Sequence, residues 1–164
     1  MTHPAPERQD VQNVPLDRQD YRMLSDFRYV IRHFLKFSQD AAQDHGLTTR
    51  QHQALLAIKG FPGDNPPTIG ELAERLAIQH HSTVELVDRL AEAQLILRTH
   101  DTEDRRRVLL GLTKAAEDHL ARLSASHLEE LHRLRPTLQR ILDQVGKWSE
   151  GGDRVETDGA AGGD

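Results

Sequence analysis

The sequence predicts a mainly α-helical chain that carries one small β-hairpin. Three observations predict it. Two Thr-x-x-Gln/Glu spacings, Thr48–Gln51 and Thr68–Glu71, each open a short segment of helical apolar period. Only three or four residues, Ala77–Gln79, separate the third helical segment from the fourth. After Ala93 the apolar period changes from three or four to two, in LILRTH and RVLLGL either side of Asp101–Arg106.

The elements follow in order. Tyr21, Leu24, Phe27, Ile31, Phe34 and Leu35 recur at three- and four-residue steps, an amphipathic helix running to about Ala42, with Gly46 as its stop. Thr48 opens a second helix through Leu55, Leu56 and Ile58 that ends at Gly60, and FPGDNPP is a loop by composition. Thr68 opens the third, TIGELAERLA, with Ile69, Leu72 and Leu76 on one face. The fourth, HHSTVELVDRLAEA, turns Leu86, Val87 and Leu90 inward with Thr83 one turn earlier. The hairpin comes next, and Thr113 caps a last helical region with Leu120, Leu123, Leu131 and Leu134 on one face. Pro136 is expected to divide that region, sitting in the first turn of a final helix through Leu138, Ile141, Leu142 and Val145. A short helix–turn–helix followed by a hairpin and flanked by long helices is a winged helix-turn-helix with N- and C-terminal helical extensions.

Composition bounds the function. At 164 residues the chain suggests one domain. It has no cysteine, which excludes disulfides, thiolate metal sites and cysteine redox sensing. No signal peptide opens it, and nothing approaches the roughly 18 apolar residues of a membrane span, so a cytoplasmic location without a membrane partner is expected. Net charge is −5, but residues 150–164 hold −4 and residues 1–20 hold −2, which leaves +1 for residues 21–149. The acidity therefore lies in the ends and does not oppose an anionic partner. Residues 1–20 read as a disordered arm and 149–164 as a disordered acidic tail, since neither offers enough apolar surface to offset its ordering entropy.

The stretch TIGELAERLAIQHHSTVELVDRLAEAQLILRTHDTEDRRRVLLGLT resembles the MarR family of bacterial transcription regulators. The specific parts are ELAERL, the Asp88–Leu90 DRL, and DTEDRRRVLLGLT with its Asp-x-Arg and Leu-Thr, and the resemblance extends across roughly residues 21–148. It implies a winged helix-turn-helix at about 48–113 and dimerisation through helices at 21–45 and 113–148. It further implies a recognition helix in the major groove of double-stranded DNA and a wing at the adjacent minor groove. Many members respond to a small anionic or phenolic ligand. Two positions depart from the pattern. Gln94 stands where the family usually has Gly, which implies either local strain or a different exit from the recognition helix. Gln79 stands where a better N-cap is common.

The candidate contacts divide between helix and wing. On the fourth helix His80, His81, Val84, Glu85 and Asp88 face away from the apolar stripe, with Ser82 at the border. His80 and His81 suit guanine acceptors, Glu85 suits cytosine N4 and Val84 a thymine methyl, while Glu85 has Arg89 within i,i+4 reach. In the wing, Asp104 and Arg106 match the family's Asp-x-Arg. Asp104 would orient Arg106 toward the narrow minor groove, and Arg105 and Arg107 would meet phosphates or structural carboxylates. Asp101, Glu103 and Asp104 dilute the positive field there.

Other chemistry is thin. The ten histidines include no HExxH, and no metal or other cofactor is expected. His80 and His81 would make DNA binding pH-sensitive if both contact DNA. No nucleophile elbow or phosphate loop appears, so an enzyme is not expected. Tyr29, His33, Phe37 and His52 are either the border of a pocket for a small aromatic or anionic effector or ordinary helix packing. The expected function is a ligand-responsive, homodimeric DNA-binding regulator, a repressor of a pseudo-palindromic operator. The alternative is a winged-helix module that associates with protein and not with DNA.

Overall fold

Several helix boundaries have a local chemical cause. In the computed structural model, which describes residues 16–63 and 65–152, five helices and one hairpin follow one another. They are α1 (Arg18–Asp44), α2 (Thr49–Lys59), α3 (Ile69–Leu76), α4 (His80–Glu92), β1 (Ile96–His100), β2 (Val108–Leu112) and α5 (Lys114–Gly152). The mainly α fold with a small hairpin is therefore as expected.

Both predicted capping boxes are formed. Thr48 Oγ1 accepts the Gln51 amide at 3.2 Å while the Thr48 amide donates to Gln51 Oε1 at 2.9 Å. Thr68 Oγ1 accepts the Glu71 amide at 3.3 Å while the Thr68 amide donates to Glu71 Oε2 at 2.8 Å. Each box satisfies two amides that the first helical turn leaves without intrahelical partners. Gly46 takes φ +73° after α1, a left-handed turn that glycine adopts without Cβ strain. Gln79 makes no side-chain cap for α4, in keeping with its poor capping chemistry.

The chain forms two compact units. Among the described residues, one comprises 34–132 and the other 16–33 with 133–152. In the first, Leu55, Leu72, Val87, Leu90, Leu110 and Leu123 are fully buried and form the centre of one apolar cluster. β1 and β2 pair antiparallel in the register Ile96↔Leu112 to His100↔Val108. Thr68 adds an antiparallel bridge to Leu109, and the Leu110 amide donates to the Pro67 carbonyl at 2.9 Å. The entry to α3 thus acts as a short third strand along the wing. In the second unit Val30 and Ile141 are buried.

Several boundaries differ from the sequence expectation. Pro136 does not divide the last helical region: α5 is continuous from Lys114 to Gly152 with the proline inside. Proline removes one amide donor and crowds the preceding turn, but the helical bonds on either side remain available. The expected tail at 149 begins inside α5, whose last turn reaches Gly152, and α1 begins at Arg18 within the expected arm. The rest of both ends lies outside the described residues. The two units divide at 33/34 and 132/133, inside α1 and α5.

Candidate nucleic-acid interface

The exposed face of α4 follows from where its leucines point. Thr83, Leu86, Val87 and Leu90 are buried, and Thr83 Oγ1 donates to the Gln79 carbonyl at 3.1 Å, which closes the first turn. The opposite face carries His80, His81, Glu85, Asp88 and Arg89 exposed, with Ser82 and Val84 half-buried. Glu85 and Arg89 pair at 3.6 Å, a solvent-exposed i,i+4 contact of about 0.2–0.5 kcal/mol. Such a pair is easily exchanged for a ligand contact. Asp88 is engaged differently: its carboxylate accepts from Arg98 on β1. Arg98 joins the exposed face of α4 to the hairpin, and single-chain periodicity gave no hint of it, because the pairing is made across two elements.

The wing loop is built around acidic side chains. The Asp101 amide donates to the Arg107 carbonyl at 3.0 Å, and the Arg107 amide to the Asp104 carbonyl at 2.9 Å, closing the loop upon itself. Asp101 Oδ1 accepts the Glu103 amide at 2.9 Å, and His100 Nδ1 donates to the Arg105 carbonyl at 3.0 Å. One oxygen of Asp104 accepts both the Arg106 amide at 3.0 Å and Arg106 Nε at 3.2 Å. These bonds, the backbone one foremost, hold the Asp104 carboxyl below the usual aspartate range. The Arg106 side chain is 93% exposed, so its terminal nitrogens are presented to solvent by a fixed root.

The three arginines divide. Arg105 is exposed and has no ion-pair partner among the described residues. Arg106 is held by Asp104. Arg107 is turned back toward two carboxylates, Asp101 at 3.5 Å and Glu71 at 3.6 Å. Arg105 and Arg106 occupy the turn that the Arg107 amide closes on the Asp104 carbonyl, and Arg107 stands at its exit into β2.

A cleft of about 620 Å³ runs beside α4, bordered by Ser82, Glu85 and Arg89 and by residues 48–51 of the α2 entry. Arg50 lies on its rim with no ion-pair partner among the described residues, a basic position that sequence reasoning passed over. Its only signal was its place beside the Thr48 cap, which says nothing of the tertiary neighbour.

The four candidate effector residues fall in both units. Tyr29 and His33 stack with ring centroids 4.1 Å apart in the unit of the chain ends. Phe37 and His52 lie in the winged unit, each against His127, at 5.4 and 4.8 Å. His127 Nδ1 donates to the Leu123 carbonyl at 2.6 Å, and its Nε2 is hydrogen-bonded with the Ser38 hydroxyl at 2.9 Å. His52 is buried, and its Nδ1 has no hydrogen-bond partner among the described residues. Burial, and secondarily the His127 charge, lower its pKa. Among the described residues no group of three or more His, Asp or Glu is gathered as metal ligands.

The profile of the MarR family matches residues 45–107, the span from the α2 entry to the end of the wing loop. The chain is 34% identical over 126 residues to the HTH-type transcriptional regulator YcgE of Bacillus subtilis, covering 76% of this chain and 72% of that protein. It is 32% identical over 74 residues to the HTH-type transcriptional repressor MdtR of Bacillus subtilis, covering 45% of this chain and 46% of that one. The crystal structure of the Staphylococcus aureus MepR–DNA complex superposes with a TM-score of 0.61 at 20% identity, covering 83% of this chain and 97% of that one. Among the described residues no helix is long and apolar enough to cross a membrane. The capping boxes, the α3–α4 turn and the wing arginines sit inside the matched span, and the chain belongs to the MarR family of transcription regulators.

Proposed function

We propose that the protein is a homodimeric, ligand-responsive repressor that binds a pseudo-palindromic operator in the cytoplasm. The observation that carries the reading is Arg106: an arginine 93% exposed at a loop tip, fixed at its root by one carboxylate. An orphan surface arginine has no need of that root. A guanidinium entering a narrow minor groove does, because the groove's negative potential rewards a cation delivered at one depth and angle. In this reading His80, His81, Ser82, Val84, Glu85 and Arg89 meet the major groove, and Arg105 binds a backbone phosphate. Arg107 serves the wing's own structure.

The repressor named MdtR and the MepR–DNA complex support this direction of function. Homodimerisation would cover apolar side chains that the described residues leave exposed on α1, Tyr21, Leu24 and Phe27 among them. The effector would be a small aromatic or anionic molecule.

Fluorescence anisotropy on the duplex upstream of the protein's own gene tests the reading. Wild-type protein should prefer that duplex to random sequence at physiological salt. Arg106→Ala should cost roughly 1–3 kcal/mol, with the loss concentrated on A·T-rich flanks where the minor groove is narrow. Equal loss on every duplex would reassign Arg106 to a phosphate, and no preference by the wild type would sink the reading.

A further inference from the structure

The Asp104–Arg106 unit is only as well placed as the loop that carries it, and residues 101–107 span seven positions between the strands. Something outside the loop must set its angle. The one side chain that leaves the loop for another element by an ion pair, among the described residues, is Arg107. Its guanidinium reaches Asp101 Oδ2 at 3.5 Å, at the start of the loop, and Glu71 Oε1 at 3.6 Å, on α3. The Asp101 side chain is only 10% exposed, so one of the two contacts is poorly screened by water.

Glu71 has two separate tasks, one for each oxygen. Oε2 accepts the Thr68 amide and the Thr68 hydroxyl, both at 2.8 Å, and so completes the α3 capping box. Oε1 faces Arg107. The Thr68 hydrogen bonds, and to a lesser degree Arg107, hold the Glu71 carboxyl below its usual range, so it is charged at neutral pH. The residue it caps, Thr68, is the one that bridges Leu109 on β2. A path of bonded groups therefore runs from the α3 entry through Glu71 to Arg107. From Arg107 it continues by backbone to Asp104, whose carboxylate holds Arg106.

We propose that Arg107 and Glu71 are positioning residues that tie the root of the wing to the entry of α3 and thereby set where Arg106 reaches. The proposal rests on the DNA-binding reading above for its function, but the tie itself is a property of the free protein. Exposed ion pairs beyond 3 Å are individually weak, so the effect belongs in placement and not in global stability.

Glu71→Gln is the informative variant, because the amide oxygen keeps the capping bonds while the charge toward Arg107 is lost. Hydrogen exchange of the free, full-length protein reads the tie. The Asp101 and Arg107 amides should exchange about three- to tenfold faster than in wild type, with α3 amides unchanged. Unchanged exchange at Asp101 and Arg107 overturns the tie whatever happens on DNA. Operator affinity is then measured for wild type, Glu71→Gln, Arg106→Ala and the double variant. Glu71→Gln should weaken binding about three- to tenfold in the wild-type background and have no effect once Arg106 is alanine. Losses that simply multiply would show Glu71 acting independently of Arg106, which overturns the positioning role. Wild-type protein without operator preference would refute the proposed function, and the exchange experiment would still decide whether Glu71 and Arg107 hold the wing.

Discussion

Gln94 holds φ at +57° immediately after α4, in the left-handed region where a side chain crowds the following carbonyl. Of the two outcomes its sequence position allowed, strain or a different exit, the backbone shows the first. The turn keeps its bonds all the same: the Gln94 amide donates to the Ala91 carbonyl at 2.9 Å, and the Gln94 carbonyl accepts from Thr113 Oγ1 at 2.8 Å. Gln94→Gly preserves both. Relief of left-handed strain, about 1–2 kcal/mol, outweighs the extra chain entropy of glycine, about 0.5–1 kcal/mol. The variant should therefore be more stable by roughly 0.5–1 kcal/mol, read as a higher urea midpoint at unchanged slope. A lower midpoint would mean that the side chain makes a contact worth more than the strain. His52 offers a second test at this scale, through pH. Its folded pKa lies below the ordinary 6.5, first because burial disfavours the imidazolium and then because His127 repels it. Below pH 6.5 the unfolded chain consequently takes up a proton that the folded chain resists. The stabilising effect is complete above 6.5 and is lost as pH falls from there toward the folded value. Urea midpoints should drop between pH 7.5 and 5.5, and His52→Phe should flatten that drop. An equal slope in the variant would place the acid sensitivity elsewhere.

At the scale of elements, α5 is the case where a local rule lost to its neighbours. Pro136 costs one backbone bond, and in an isolated helix interior about 3 kcal/mol relative to alanine. Helical sequence on both sides, with Leu123 and Ile141 buried, nevertheless keeps Lys114–Gly152 one element. Pro136→Ala should restore an amide donor and slow hydrogen exchange over about one turn on either side, with up to about 3 kcal/mol gained. Faster exchange there would mean that the proline's fixed φ contributes more to the local geometry than the amide bond that alanine restores. The other elements were legible because their causes are local. Two threonines with Gln51 and Glu71 three residues on, Gly46 after α1 and the buried Thr83–Leu86–Val87–Leu90 stripe each act within one or two turns. The candidate site was legible to the same depth. Asp104 lies two residues from Arg106, so their bond could be read from the motif, whereas Arg98 with Asp88 and Arg107 with Glu71 are joined across elements and could not. Arg107 shows the limit most clearly: the sequence grouped it with Arg105 as meeting phosphates or structural carboxylates, and only the fold turns it toward Asp101 and Glu71.

At the scale of the whole molecule, the boundary between winged and terminal parts was the least legible feature. α1 and α5 each run unbroken past it, so neither composition nor a turn marks residues 33/34 or 132/133. What periodicity did mark on α1 was an apolar face larger than its own unit buries. Tyr21, Leu24, Phe27 and Ile31 recur at three- and four-residue steps, and all four are exposed, while Val30 on the same helix is buried. A row of that kind on an amphipathic helix is costly in water and fits burial against a second copy. If it is the dimer seam, two-fold symmetry places each substitution in the interface twice. Covering an aromatic side chain contributes about 1.5–3 kcal/mol, so losing two partly exposed ones costs on the order of 3 kcal/mol, over a hundredfold in dimer Kd. Phe27→Asp should therefore sediment as a single chain of 18.6 kDa at concentrations where wild type sediments at twice that mass. It should also lose operator affinity far more than affinity for a half-site, since only a dimer spans two half-sites one helical turn apart. A variant that stays dimeric would move the seam off this row, and one that is monomeric with full operator affinity would separate dimerisation from DNA binding altogether.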